Sequence, residues 1–114
     1  MTGTRPFLVV IPARYASTRF PGKALADLGG KPVIAHCIAQ CTKAVSVEDL
    51  VVATDDSRIA DVCTSLGVRV AMTSSDCLTG TDRVAEVARS IPARWYVNVQ
   101  GDEPFLEPRA LTAM

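Results

Sequence analysis

The chain has one histidine, no excess of either charge, no C-x-x-C pair and no long apolar run. Each gap weakens the case for a class of function. His36 is the only imidazole, and no Ser/His/Asp or Cys/His set is visible, so a nucleophile activated by histidine has no support. His36 reads instead as a helix-surface or packed residue. Twelve basic residues balance twelve acidic ones, whereas a general nucleic-acid binder normally shows a basic face or excess. A local cationic pocket stays open. Of the four cysteines, Cys37 and Cys41 share a helix face. Zinc there would need further ligands, and His36 points off that face. With Cys63 and Cys77 they are taken as small core residues. The apolar runs fall well short of the roughly 20 residues that cross a bilayer, and Met1 to Pro6 lacks the apolar h-region of a signal peptide. Cytoplasmic location is the expectation. Glycine signatures are missing too. Gly22-Lys23 is followed by Ala24 and lacks the earlier glycine of a Walker A loop, and there is no G-x-G-x-x-G. A P-loop and a hydride-transfer Rossmann enzyme are both rejected.

What is present is an alternation of strand and helix. At 114 residues and 48% hydrophobic, the chain reads as one small α/β domain spanning 1–114. Apolar runs at Phe7–Ile11, Leu50–Ala53, Val68–Met72 and Trp95–Val99 predict four strands. Helices are expected from Pro32 to about Ala44, from Ser57 to Leu66 and from Thr81 to Ser90. The first carries the stripe Val33, Ile34, Cys37, Ile38, Cys41; the third turns Val84, Val87 and Ala88 inward. Thr54-Asp55-Asp56-Ser57 can cap the second helix and Gly67 can stop it. A further helix is expected to begin near Pro108. Continuous apolar strands between helices indicate a mostly parallel sheet covered on both faces, a Rossmann-like three-layer α/β/α fold of about four strands. Right-handed crossovers then gather the strand-to-helix loops along one edge, where ligands sit in such sheets. The sequence stops at Met114 inside an expected helix, so the open sheet is read as part of a larger domain or as covered by a partner.

The first of these loops carries Arg14, Arg19 and Lys23 among small or hydroxyl residues, stiffened by Pro12, Pro21 and Gly22. Two guanidinium forks and one ammonium suit phosphate oxygens. A nucleoside triphosphate carries roughly four negative charges and one Mg²⁺ offsets two, so three cations suffice for the remainder. A solvated basic loop is the competing reading. After the fourth strand, Asp102 can bind Mg²⁺, with Glu103 the rival and a helix-capping turn the plain alternative. Gln100 has an amide suited to a ribose or base edge, or to a turn hydrogen bond. The third loop offers Thr73-Ser74-Ser75-Asp76. Gly80-Thr81-Asp82-Arg83 then opens a helix whose N-terminus favours an anion, unless Thr81 or Asp82 merely caps it. Thr54-Asp55-Asp56 reads as a cap and turn rather than a second metal site. The ensemble points to phosphate chemistry by positioning and charge neutralisation.

Taken in order, Ile11-Pro12-Ala13-Arg14, Ser17-Thr18-Arg19, Pro21-Gly22-Lys23, Val52-Ala53-Thr54-Asp55, Met72-Thr73, Gly80-Thr81-Asp82-Arg83 and Val97-Asn98-Val99-Gln100-Gly101-Asp102-Glu103-Pro104 closely resemble the CMP-Kdo synthetase family, the 3-deoxy-manno-octulosonate cytidylyltransferases. The resemblance runs through essentially the whole chain. It implies a fold of the nucleotide-diphospho-sugar transferase type. It also implies transfer of CMP from CTP to Kdo with Mg²⁺ and release of pyrophosphate, feeding lipopolysaccharide synthesis in the bacterial cytoplasm. Carried over by position, Arg14, Arg19 and Lys23 would hold the triphosphate, with Ala13 and Ser17 in the same CTP site. Thr73, Ser75 and Gln100 would meet the cytidine. Asp102 would bind Mg²⁺, and Arg14, Arg19, Lys23 and Asp102 form the implied catalytic set.

Two departures from the family pattern bear on this. Ser74 and Cys77 stand where the family commonly has Arg and His in its third loop. Family members are also about twice as long, with a second metal-binding Asp, most Kdo contacts and the segment that forms a homodimer beyond the counterpart of Met114. The expectation is therefore an N-terminal, CTP-binding half, with weak CTP binding and little turnover alone. The alternatives are the same chemistry on another acidic sugar, or a nucleotide-binding module without catalysis.

Overall fold

A computed structural model of the chain describes residues 5–14, 25–74 and 80–99. Along the chain run β1 (Arg5–Pro12), β2 (Asp27–Leu28), β3 (Lys31–Pro32), α1 (Val33–Cys41), a single 3-10 turn (Val47–Asp49), β4 (Leu50–Thr54), α2 (Ser57–Ser65), β5 (Arg69–Met72), α3 (Gly80–Ser90) and β6 (Ala93–Asn98). β1, β4, β5 and β6 form one sheet in the order β5-β4-β1-β6, and every pairing in it is parallel. The chain first builds outward from β1 through β4 to β5. It then returns through α3 to place β6 on the other side of β1. The strand order therefore reverses at β1.

The two faces of β1 explain its unbroken apolar run. Alternate residues point to opposite faces of a sheet. Val9 and Ile11 pack with Leu50 and Val52 beneath α1 (Ile34, Cys37, Ile38, Cys41) and α2 (Ile59, Cys63). Leu8 and Val10 pack with Val51 and Ala53 beneath α3, through Val84 and Val87. A strand buried on both sides cannot alternate polar with apolar residues. Two helices on one face and one on the other make the three layers expected from the sequence.

The element ends differ from expectation for local reasons. β1 is longer at both ends because Arg5 pairs with Ala93 and Pro12 with Ala53. The same pairing starts β6 at Ala93, although Trp95 on this edge strand is 70% exposed. α1 stops at Cys41, where the Ala44 and Val45 amides both turn back to its carbonyl. Pro32 holds the N-cap position in extended backbone, where its missing N–H is no loss. The Gly29-Gly30 turn closes a short hairpin of β2 and β3. Both glycines have positive φ, 63° and 90°, the requirement of a type I′ turn. His36 on α1 bonds the Leu28 carbonyl through Nε2, which ties helix to hairpin. A carbonyl only accepts, so Nε2 carries the proton. The helix expected near Pro108 lies outside the described residues.

Candidate functional site

Four polypeptide segments leave the sheet at the carboxyl ends of its strands. Three begin with one more main-chain bond to a neighbouring strand. The Ala13 amide donates to Ala53 O at 2.9 Å, Thr73 to Thr54 O at 2.8 Å, and Val99 to Val10 O at 3.0 Å. Ala13, Thr73 and Val99 are all buried. The loops therefore start from fixed points. The loops after β1 and β6 start side by side, with Val10 opposite Asn98 in the register. Because the strand order reverses at β1, these two loops flank the topological switch point of the sheet, the usual ligand crevice of an open α/β fold.

The site residues expected from sequence divide accordingly. Ala13 is buried at the end of β1, and Arg14 follows it on the surface. Thr73 is buried at the end of β5, with the exposed Ser74 after it. Ser17, Arg19, Lys23, Ser75, Gln100 and Asp102 lie outside the described residues, as do Glu103, Asp76 and Cys77. Their loops are defined here by where they start.

One group that sequence reading left without a role stands out. Arg83 is 2% exposed, the only buried charged side chain among the described residues. Its Nη1 donates to Thr73 Oγ1 at 2.6 Å and reaches Ser74 O at 3.4 Å. Its Nη2 lies 3.5 Å from Asp55 Oδ1. One turn along α3, the Glu86 carboxylate accepts the Ser74 N–H through both oxygens, at 3.0 and 3.2 Å. A signal for Arg83 existed in the sequence. It sits four residues before Val87 and next to Val84, on the inward face of α3, where a cation needs buried partners.

The two aspartates after β4 serve the fold. Asp55 faces Arg83. Asp56 is the N-cap of α2: its Oδ1 accepts from the amides of Arg58 at 2.8 Å and Ile59 at 3.3 Å. The cap reading of this turn holds. α3 starts at Gly80, so Thr81 and Asp82 stand within its first turn rather than capping it. Cys37, Cys41 and Cys63 are buried, as expected of core thiols, and burial pushes the Cys63 thiol up to about 11.

Residues 8–114 match the model of a protein family described as cytidylyltransferase. The chain belongs to this family. Among cytidylyltransferases, it is 59% identical over 101 residues to the 3-deoxy-manno-octulosonate cytidylyltransferase of Trichlorobacter lovleyi, covering 89% of this chain and 40% of that protein. It is 60% identical over 99 residues to the enzyme of the same name from Geobacter sulfurreducens, covering 87% and 40%. A solved structure of CMP:2-keto-3-deoxy-manno-octonic acid synthetase complexed with CTP superposes with a TM-score of 0.89 at 42% identity, over 95% of this chain and 45% of that one. The fold expected from sequence is thereby that of a cytidylyltransferase. The chain spans about two-fifths of the length of the curated relatives it matches. No helix among the described residues is long and apolar enough to cross a membrane.

Proposed function

We propose that the chain carries the CTP site of a 3-deoxy-manno-octulosonate cytidylyltransferase, which moves CMP from CTP to Kdo and releases pyrophosphate. The observation that carries this reading is the juxtaposition at the switch point. The loop of Arg14, Arg19 and Lys23 and the loop of Gln100 and Asp102 leave adjacent strands, β1 and β6, at the carboxyl edge. The relatives' names and the CTP complex of a structural neighbour support the choice of nucleotide and acceptor.

In this reading Arg14, Arg19 and Lys23 bind the triphosphate, the arginines as forks and the lysine as a point charge. Ala13 and Ser17 belong to the same loop. Thr73, Ser75 and Gln100 meet the cytidine. Asp102 would hold Mg²⁺; among the described residues, Asp55 and Asp56 are engaged by Arg83 and by the α2 cap. When bound, that cation would offset charge on the transferring and leaving phosphates. The residues of the first loop hold the phosphate chain so that an acceptor hydroxyl can approach the α-phosphorus in line. The product would feed lipopolysaccharide synthesis in the cytoplasm.

Two measurements test this. Calorimetry with CTP and Mg²⁺ should show binding to the 114-residue chain that is stronger than binding of UTP. A pyrophosphate-release assay of a full-length enzyme that contains this chain, with CTP and a panel of acidic sugars, then identifies the acceptor. Absence of any CTP binding would refute the site. Pyrophosphate release with a different acid and none with Kdo would replace the acceptor. Binding without release from any acid would leave a nucleotide-binding module.

A further inference from the structure

The Arg83–Glu86 cluster has a geometry that simple support of the fold does not require. Thr73 closes β5 with its amide on Thr54 O, and β5 is an edge strand. Among the described residues, the sheet offers Ser74 no second neighbour on its outer side beyond that bond. Helix α3 supplies the missing partners with side chains. Glu86 takes the Ser74 N–H, and Arg83 reaches the Ser74 carbonyl while bonding the Thr73 hydroxyl. Both main-chain polar groups of one residue are thus held by side chains three apart on one helix, which face the same way. Arg83 also reaches Asp55, the first residue after β4. A single guanidinium so links the starts of two neighbouring loops.

Burying a guanidinium is a poor way to gain stability. A well-packed apolar residue of similar volume often serves as well or better. What a fork provides is direction: its N–H groups diverge in a fixed plane. We propose that Arg83 and Glu86 are positioning residues, which fix the main chain at Thr73–Ser74 and so hold Thr73 in place for the nucleotide. This rests on the CTP reading of the site. Neither residue touches the nucleotide; each acts through Thr73 and Ser74. In this chain the residue after Thr73 is held by its backbone.

The test uses the 114-residue chain and its Arg83→Lys and Glu86→Gln variants. Nuclear magnetic resonance reads the exchange rate of the Ser74 amide, and calorimetry reads CTP and UTP affinity with Mg²⁺. Glu86→Gln should leave the fold intact while speeding Ser74 exchange and weakening CTP binding about tenfold, as loss of a charged hydrogen bond allows. UTP, held chiefly through its phosphates, should lose less, so the CTP-to-UTP preference narrows. Arg83→Lys keeps the charge and loses the fork, and should do the same more strongly. Faster Ser74 exchange with CTP affinity within about twofold of wild type would overturn the positioning role. Unchanged exchange in Glu86→Gln would overturn the clamp itself, even if Arg83→Lys failed to fold. A wild-type chain that bound no CTP would instead overturn the functional reading, and with it the clamp's role toward a nucleotide, whatever Ser74 exchange showed.

Discussion

Replacing Asp56 by Ala removes the N-cap of α2 and tests how the β4–α2 turn is held. Asp56 Oδ1 accepts two amides of the first helical turn, which would otherwise lack partners. The same carboxylate receives the Arg58 fork, Nε at 3.1 Å and Nη2 at 2.7 Å. Loss of such a cap costs about 1 kcal/mol. The Arg58 side chain is 58% exposed, so its ion pair adds only roughly 0–1 kcal/mol. The expected loss is therefore about 1–2 kcal/mol. With a urea slope of roughly 2 kcal/mol per molar, the midpoint should fall by about 0.5–1 M.

The loss should also depend on pH, and its sign follows from the carboxyl. Arg58's side chain, and after it the amides of Arg58 and Ile59, hold Asp56 below its ordinary value of 3.8, against a desolvation that acts the other way. A lowered folded value means stabilisation that is present above the unfolded value and lost as pH falls through the folded one. Urea curves of wild type and Asp56→Ala should stand equally far apart at pH 7 and pH 5. They should converge as pH drops below about 4. Asp56→Asn keeps an accepting oxygen without the charge, and should lie between the two at pH 7. A gap under about 0.3 kcal/mol at pH 7, or one that stays constant down to pH 2.5, would refute the cap as the source of this stability.

Three further outcomes are expected. Ile34→Ala empties a fully buried position of the core beneath α1, and urea unfolding should show a loss of about 2–5 kcal/mol. The Cys63 thiol, raised to about 11 by burial, should resist alkylation at pH 8 until the chain unfolds; its contribution to stability is complete below the ordinary value of 9.0 and declines as pH rises toward 11. For the proposed transfer reaction, in a full-length enzyme that contains this chain, Asp102→Asn should depress pyrophosphate release more than CTP affinity, because metal charge matters most in the transition state, and equal rates would remove Asp102 from that role.

The layers of this fold were legible because burial writes a simple pattern. The runs Leu8–Ile11 of β1 and Leu50–Ala53 of β4 are apolar at every turn of the pleat, since helices cover both their faces. The stripe Val33, Ile34, Cys37, Ile38, Cys41 is buried at all five positions. Edge strands write a weaker pattern. β6 begins at Ala93 and carries exposed Arg94 and Trp95, because its start is set by pairing with Arg5 and not by its own side chains. The short β2–β3 hairpin is fixed by the φ values of two glycines, and its strands are too brief to show any period.

The candidate site could be proposed from its loops but not from what holds them. Arg14 and Thr73 could be proposed as candidates because phosphate and sugar call for cations and hydroxyls next to strand ends. Arg83 could not be assigned by the same logic, because a buried cation is defined by partners far along the chain: Thr73 is ten residues away, and Asp55 follows β4. The available clue was a conflict. Arg83 lies on the face of α3 that Val84 and Val87 turn to the core, and a charge there is tolerated only if something pairs with it. The partners turn out to be the starts of two loops at the carboxyl edge of the sheet. A residue that breaks an apolar stripe is thus a better guide to the frame of a site than to its contacts. The loop sequence names the groups that would meet a nucleotide, and the break in the helix pattern locates the group that keeps one of those loops in place.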